Sequence, residues 1–344
     1  MQKQGVQIHL HCFDYGRGKQ ANLEKYCASV HYYERFTGHT SITNKLPYIV
    51  SSRRNESLLA RLLQDDHPIL MEGIHCTYLL NDPRFIGRKC FVRLHNVEYQ
   101  YYRELSRNAS LSFRKLYYGI ESWLLRRYEK KIANKAVFFS VTTADAIKYS
   151  TSLHCGDIST IPVFLPDWKL VSKEGPGNYC LYQGDLGVDT NEKAAIWLLQ
   201  KVFSKIELPL VIAGKNPSVK LETLVKENPR AVLIGNPSQE QMQTLIADAQ
   251  IHLLPSYTTT GIKLKLLNAL FNGRHCVVTP ETVEGTELES TCHIAASANN
   301  FAEIIELLYH QRFMENDILV RKELLQNRFD NCRNAELIVK KIWG

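Results

Sequence analysis

The sequence predicts an α/β protein of two domains, each a doubly wound parallel β-sheet with helices on both faces. The chain has 344 residues, of which 44% are hydrophobic, and this is enough for two cores of ordinary size. In the second half, short aliphatic runs alternate with segments of helical periodicity, a pattern typical of a parallel sheet with crossover helices. A stretch rich in proline, glycine and charge at residues 164–177 predicts the linker between the domains.

The second domain is predicted to cover residues 178–315, followed by a C-terminal helical segment at residues 316–344. Polar or glycine residues follow most of its strands, and in open α/β sheets ligands bind at these carboxyl ends. The predicted strands are residues 179–183, 210–213, 231–234, 251–254, 276–278 and 293–295, and the predicted helices are residues 191–203, 219–227, 239–249, 262–271 and 300–309.

The first domain is predicted to cover residues 1–165. Because Gln4 and Gly5 are typical of the end of a helix and its turn, the chain begins as though the first strand and helix of this domain were absent. The predicted strands are residues 6–13, 30–33, 68–72, 90–94, 137–141 and 158–162, and the predicted helices include residues 20–28, 56–63 and a long amphipathic region at 99–134.

The formal net charge of +7 comes from the first half of the chain. Residues 1–170 contain 24 lysines and arginines against 15 acidic residues, whereas the remainder is slightly acidic. Within residues 113–135, basic residues interleave with tyrosines and a tryptophan, which suits peripheral contact with an anionic membrane or an anionic acceptor. A solvated helix face packed by its aromatic residues is the alternative. We find no nucleic-acid-binding signature, so a nucleic acid partner is not expected.

Composition also indicates the cellular setting. Nine cysteines at irregular spacing, with no CxxC pair and no secretory leader, favour reduced thiols in a cytoplasm over a disulfide framework. The longest apolar runs have the length of strands, so no membrane-spanning helix is expected. The expected location is cytoplasmic, with peripheral association at the inner face of the membrane as an option.

The stretch most informative about function lies at residues 256–278. Three threonines and Gly261 precede a segment whose apolar residues recur at helical spacing and end at Gly273. Lys263 and Lys265 fall in the first turn of this predicted helix, where the aligned amide dipoles disfavour a cation by roughly 0.3 to 1 kcal/mol. An anion among these groups explains the arrangement, and the sequence predicts a phosphate or diphosphate site. The alternative is that both lysines extend into solvent.

Three other strand ends are candidates for the same site, although each glycine alone is typical of an ordinary turn. They are Gly184 with Asp185, Gly214 with Lys215 and Asn216, and Gly235 with Asn236. No GxGxxG fingerprint follows a strand and no GxxxxGK[ST] motif is present, which argues against a dinucleotide oxidoreductase and a P-loop enzyme.

With these residues considered together, the chain resembles retaining glycosyltransferases of the GT-B fold, close to family 4 and its glycosyl transferases group 1 domain. The motifs that carry the resemblance are HLHCF at His9–Phe13, an R-HN-E-YY segment at residues 93–102, AGKNPS at residues 213–218 and TGIKLKLLNAL-GRH at residues 260–275. The resemblance implies two Rossmann-like domains facing a cleft, with a nucleotide sugar bound mainly by the second domain and a glycan or glycolipid acceptor by the first.

The resemblance also assigns roles to individual residues. It places His95, after a strand of the first domain, beside the donor sugar, and Asn236 near the nucleobase. Lys263 and Lys265 would stabilise the leaving diphosphate. The remaining substrate-binding positions that it implies are Gly184, Asp185, Lys215, Asn216, Thr260, Gly261, Ile262 and Asn268.

Two features depart from the broader family. Where that family has a glutamate, seven residues and a second glutamate, this chain has Thr260 and Asn268. An asparagine can still bond a ribose diol, but without charge assistance, so we interpret the site as a variant. The missing first strand and helix, roughly thirty residues on the scale of a βα unit, leave the activity of this polypeptide open.

The expected reaction is hexosyl transfer to a hydroxyl with retention of configuration, without a metal or a cofactor, in the synthesis of a cell-surface polysaccharide or lipopolysaccharide. No carboxylate can be assigned as a covalent nucleophile. Attack by the acceptor on the same face of the sugar from which the leaving group departs is therefore favoured. Two alternatives remain: a non-catalytic GT-B protein that binds a nucleotide or partner, and a nucleotide-sugar epimerase. Glu284, Glu287 and Glu289 could serve either of these alternatives, although a solvated turn explains them as well.

Overall fold

The computed structural model describes residues 1–16, 18–38, 43, 45–109 and 112–344, and it contains two compact units. The first unit consists of Met1–Phe164 and Phe329–Gly344, and the second of Leu165–Arg328. Among the described residues, no helix is both long enough and apolar enough to cross a bilayer.

The first unit contains two parallel sheets. The larger has the strand order β3-β4-β5-β6, and the smaller pairs β1 with β2. The strands are β1 (His9–Phe13), β2 (Ser29–Tyr33), β3 (Ile69–Glu72), β4 (Cys90–Leu94), β5 (Val137–Ser140) and β6 (Ile158–Thr160). The helices that precede the second unit are α1 (Tyr48–Ser51), α2 (Glu56–Leu62), α3 (Glu98–Asn108), α4 (Ser112–Ile132) and α5 (Thr143–Leu153).

One helix prediction for the first unit is wrong in extent. The helix expected at residues 20–28 is a 3-10 helix, Ala21–Lys25, with no buried residue, so no packing supports a longer one. The long amphipathic helical region expected at residues 99–134 contains α3 and α4, and residues 110–111 lie outside the described residues. The two helices pack together, and the Glu129 carboxylate of α4 accepts bonds from the Glu98 and Tyr99 amides, both at 3.1 Å. This carboxylate caps α3 and thereby fixes the turn that leads from β4 to α3.

The second unit contains one sheet of six parallel strands in the order β12-β11-β10-β7-β8-β9. The strands are β7 (Cys180–Asp185), β8 (Leu210–Lys215), β9 (Ala231–Gly235), β10 (Ile251–Leu254), β11 (His275–Val278) and β12 (His293–Ile294). The helices are α6 (Asp189–Trp197), α7 (Val219–Lys226), α8 (Gln239–Asp248), α9 (Leu264–Asn272), α10 (Pro280–Val283), α11 (Ala298–Tyr309) and α12 (Glu315–Arg328), and a π-helical segment, Leu198–Val202, extends α6. Parallel sheets alternating with helices in both units confirm the predicted α/β class.

The strand order of the second unit sets the position of its binding edge. It is the doubly wound order, in which the connections run in opposite directions from two neighbouring central strands, here β7 and β10. A crevice opens at the carboxyl ends of such a pair, and this is where open α/β sheets bind ligands. The loop after β10, residues 255–263, and the turn after β7 therefore flank the topological switch point.

The C-terminal part of the chain belongs partly to the second unit and partly to the first. Residues 316–344 were expected to form one separate segment, but they comprise α12 in the second unit and α13 (Asn331–Trp343) in the first. Ile338 and Ile342 of α13 join Phe91 and Phe139 in a buried cluster, which explains why the last helix returns. The predicted linker is bound to the second unit, with a backbone bridge between Gly175 and Phe313.

Candidate functional site

Helix α9 is held rigidly at its carboxyl end. The guanidinium of Arg321, which is fully buried on α12, donates to the carbonyls of Leu270 at 3.2 Å and Gly273 at 2.7 Å. Gly273 also allows close packing, because a Cβ there would lie 1.9 Å from Nε2 of the buried His252. With its last carbonyls bonded and its apolar face in the core, α9 presents its amino end as a fixed structure.

The amino end of α9 begins two residues later than predicted. The helix starts at Leu264 with Lys263 as its N-cap, and the Lys263 side chain makes no capping hydrogen bond. The N-cap is therefore a lysine and not one of the threonines, because Gly261, at a φ of 68°, turns the chain before the helix begins. Both lysines still lie at the helix start, and the first amides of α9 have no partner within the helix.

Lys265 lies in an unfavourable position for a cation. Its ammonium nitrogen is 4.9 Å from the centroid of the Tyr182 ring on β7, and no carboxylate pairs with it in the described part of the chain. Burial, together with the nearby charge of Lys263, lowers its pKa to about 8. The ring offsets part of the desolvation cost. An anion bound at this helix start would offset more of it.

Thr260 and Gln183 contain buried polar atoms that remain unbonded within the described residues. The Oγ1 atom of Thr260 has no hydrogen-bond partner there, and neither has Nε2 of Gln183 on β7. The carbonyl of Thr260 accepts a bond from the Lys263 ammonium at 2.7 Å, which holds this lysine against the loop. Leaving such atoms unbonded costs about 1 to 3 kcal/mol each, so these groups are available to a polar ligand.

A second set of predicted residues meets at the ends of β7, β8 and β9. The side-chain oxygen of Asn236 accepts from the Asn216 amide at 3.0 Å, and the Asn216 carboxamide donates to Asp185 Oδ1 at 3.4 Å. Both asparagines have φ near 53°, and asparagine tolerates this left-handed region better than most residues. The hydrogen bonds thus link Asp185, Asn216 and Asn236 along one edge of the sheet.

The glycines of this edge set how closely the strands approach. Gly184, Gly214 and Gly235 are register partners across β7, β8 and β9. A Cβ on Gly214 would lie 1.8 Å from the Gly184 carbonyl oxygen, so only glycine fits at this position. Lys215 follows Gly214 and is exposed.

Two further predicted positions lie on or beside α9. Ile262 is partly buried in the loop. Oδ1 of Asn268 accepts a hydrogen bond from the Asn272 carboxamide at 2.8 Å, one turn further along the helix. This bond orients the Asn268 side chain and leaves its amide hydrogens as the groups that it can offer to a diol.

His95 belongs to the first unit, directly after β4. Its Nε2 atom lies 3.0 Å from Oε2 of Glu72 at the end of β3, and both side chains are about half exposed. Burial opposes ionisation of Glu72, but the His95 hydrogen bond and the Arg93 charge hold the pKa of this carboxyl below its usual value. An ionised carboxylate only accepts hydrogen bonds, so in neutral His95 the proton is on Nε2 and the lone pair on Nδ1.

The acidic residues after β11 lie at the surface. Glu284, Glu287 and Glu289 are exposed, and Glu287 pairs with Arg328. Across the described ranges, no group of three or more histidine, cysteine or acidic side chains has the arrangement needed to hold a metal ion.

The comparison with protein families concerns the second unit. Residues 177–311, from β7 to the end of α11, match the family model described as glycosyl transferases group 1. The match therefore lies within the second unit. The chain is also similar to an uncharacterized 44.6 kDa protein in the cps region of Klebsiella pneumoniae, at 29% identity over 282 residues, which are 77% of this chain and 71% of that protein.

Solved structures similar to the chain have the GT-B fold. Anabaena HepE in complex with UDP superposes with a TM-score of 0.62 and 12% identity, covering 98% of this chain and 99% of that one. A UDP-forming trehalose-phosphate synthase from Burkholderia xenovorans gives 0.61 and 9%, covering 84% and 76%. At these identities the likeness shows the fold, which confirms the expected GT-B architecture.

Three residues of the candidate site were not identified from the sequence. Tyr182 lies below Lys265, Gln183 presents an unbonded amide, and Glu72 orients His95. The first two belong to an apolar strand and have no local signal that separates them from core residues. Glu72 could have been found, because it is the last residue of β3, and His95 directly follows the neighbouring strand β4.

Proposed function

We propose that the chain is a glycosyltransferase that moves a hexosyl group from a nucleoside-diphosphate sugar to a hydroxyl of a glycan or glycolipid, with retention of the anomeric configuration. The observation that carries the proposal is the partly buried Lys265 ammonium at the start of α9, beside the switch point of the sheet. A dianionic leaving group fits this position, since amides and ammonium groups there favour negative charge.

The proposed roles follow from the chemistry of the step. When the bond from the anomeric carbon to the diphosphate oxygen breaks, negative charge develops on the diphosphate. Lys263, Lys265 and the first amides of α9 are already oriented and stabilise that charge without reorganisation. Thr260, Gly261 and Ile262 would contact the phosphates, as the hydroxyl of Thr260 lacks a partner among the described residues.

The remaining predicted residues fit the two ends of the donor. Asp185, Lys215, Asn216 and Asn236, with Gly184, form the edge proposed to contact the nucleoside, and Asn268 is proposed to bond a ribose hydroxyl. His95 is proposed to orient or polarise the sugar. The acceptor hydroxyl attacks the anomeric carbon from the same face of the sugar from which the diphosphate departs. The proton of this hydroxyl passes to an oxygen of the leaving diphosphate.

The biological role that we propose is synthesis of a cell-surface polysaccharide or lipopolysaccharide. Its support is the similarity to the protein in a Klebsiella cps region. The match to a glycosyltransferase domain favours transfer over the two alternatives, a non-catalytic nucleotide-binding protein and an epimerase. A nucleotide-sugar screen that found conversion of the donor without any acceptor would instead support the epimerase.

The proposed diphosphate site is tested by changing both lysines. The double variant Lys263→Ala/Lys265→Ala should weaken UDP binding by at least about a hundredfold in calorimetry, because two charge-assisted contacts of roughly 1.5 to 3 kcal/mol each are lost. Lys220→Ala is the matched control, since Lys220 is the second residue of α7 as Lys265 is of α9, but is exposed. Unchanged UDP affinity in the double variant would remove the assignment.

The pH dependence of donor binding gives a second test. Only the protonated form of Lys265 attracts a diphosphate, and its pKa in the free protein is about 8. Affinity for UDP should therefore be nearly constant below about pH 7 and fall roughly twentyfold between pH 7.5 and 9.5. In Lys263→Ala the fall should move to higher pH, because removing the neighbouring charge raises the Lys265 pKa. A flat profile for the unmodified protein contradicts the role of Lys265.

A further inference from the structure

Helix α4 presents a stripe of exposed apolar side chains to solvent. Its inward face is buried through Leu124, Leu125, Tyr128 and Ile132. Nearer the amino end of the helix, exposed large apolar side chains recur at spacings of three and four residues. Their exposed fractions are 68% for Phe113, 67% for Leu116, 43% for Tyr117, 51% for Ile120 and 54% for Trp123. Such a stripe on one helix is more than the scattered apolar residues that any surface carries.

The charges on the same helix have one sign. Its two acidic residues, Glu121 and Glu129, are buried against the first unit, where they accept hydrogen bonds from the amides of Tyr48 and of the α3 start. Every exposed charge on α4 is therefore a cation, namely Arg114, Lys115, Arg126, Arg127, Lys130 and Lys131. The guanidinium of Arg127 stacks 4.6 Å from the Trp123 ring, so charge and aromatic surface are joined on one face.

We propose that this face of α4 docks on an anionic lipid bilayer, with residues 113–123 inserting their apolar side chains at the headgroup boundary and the cations at 126–131 contacting lipid phosphates. Charge complementarity selects this occupant. A second copy of the chain would bring the same six cations against themselves, and a nucleic acid would leave the apolar stripe unsatisfied. Apolar insertion combined with basic residues is the means by which amphipathic helices bind anionic membranes.

The proposal rests on the proposed function only for the expectation that the acceptor lies at a membrane. Its test, vesicle co-sedimentation of the full chain, needs neither donor nor acceptor. We expect binding to phosphatidylcholine vesicles that contain phosphatidylglycerol, little binding to phosphatidylcholine alone, and weaker binding at high salt. The variant Phe113→Ser/Leu116→Ser/Ile120→Ser/Trp123→Ser and the variant Arg126→Gln/Arg127→Gln/Lys130→Gln/Lys131→Gln should each lower the partition coefficient by at least about tenfold.

Leu307→Ser/Leu319→Ser is the matched control, because these two exposed leucines lie on α11 and α12 of the second unit. It should bind the vesicles as the unmodified protein does. All variants should retain UDP affinity in calorimetry, so a failure of the donor site is distinguished from a failure of docking. Equal sedimentation of the serine variant and the unmodified protein overturns the proposal. So does an absence of binding to anionic vesicles, or a dimer in ultracentrifugation that only the serine variant loses.

Discussion

Lys265→Met should raise the melting temperature of the unliganded protein by about 3 °C and lower glycosyl transfer by at least about a hundredfold. The two effects have one cause. Burial places the folded-state pKa of Lys265 at about 8, below the ordinary value of a lysine, so below pH 8 the ammonium destabilises the folded state. Because the side chain keeps some contact with solvent, we take the cost as about 1 kcal/mol, less than the full shift implies.

Methionine suits this test because it has a length similar to that of lysine, and its sulfur packs well over an aromatic ring such as that of Tyr182. Loss of transfer follows from the loss of one preorganised charge at the leaving group, which typically costs a hundredfold or more. Scanning calorimetry and a transfer assay measure the two effects, and Lys220→Met should change neither. The stability gain should shrink as the pH rises through 8, because the native lysine then loses its charge. A lower melting temperature with transfer retained would mean that the contact with Tyr182 is structural.

The sheet of the second unit could be predicted from the sequence almost strand by strand. Its strands are short apolar runs bounded by glycine and polar residues, and such signals are local. The start of α9 was misplaced because three consecutive threonines imitate an N-cap, whereas the positive φ of Gly261 delays the helix to Leu264. A backbone turn of this kind has no signature beyond the glycine itself.

The first unit was harder to predict, because its arrangement depends on contacts between elements that are distant in sequence. The region at residues 99–134 has amphipathic periodicity, and that periodicity does not show that α3 and α4 pack against each other. The return of α13 depends on Ile338 and Ile342 meeting Phe91 and Phe139, residues more than 190 positions away in sequence, which no local pattern encodes.

The same distinction applies to the candidate site. Lys263 and Lys265 were found because a cation at a helix start conflicts with the dipole, and that conflict is visible in a few residues of sequence. Tyr182 was not found, because its role depends on β7 being the neighbour of β10, which is a property of strand order. Local conflicts therefore identified the anion-binding groups, and topology was needed to identify what surrounds them.

His95→Ala should lower the turnover number by about a hundredfold while changing the affinity for UDP by less than about threefold. In the proposed mechanism His95 acts on the sugar, so a nucleotide without a sugar does not sense its loss. The hydrogen bond from Nε2 to Glu72 keeps the lone pair on Nδ1, which is the atom able to accept a hydrogen bond or a proton. General acid or base groups of this kind typically contribute a hundredfold or more to the rate.

Glu72→Gln separates the orientation of His95 from its presence. The carboxamide keeps the size of glutamate but removes the charge that favours one arrangement of the imidazole, so we expect about a tenfold loss of turnover, intermediate between the native protein and His95→Ala. The double variant His95→Ala/Glu72→Gln should be no slower than His95→Ala, because Glu72 acts only through the ring. An additive loss would assign Glu72 a role of its own, whereas a loss of UDP affinity without a fall in turnover would make His95 a binding residue.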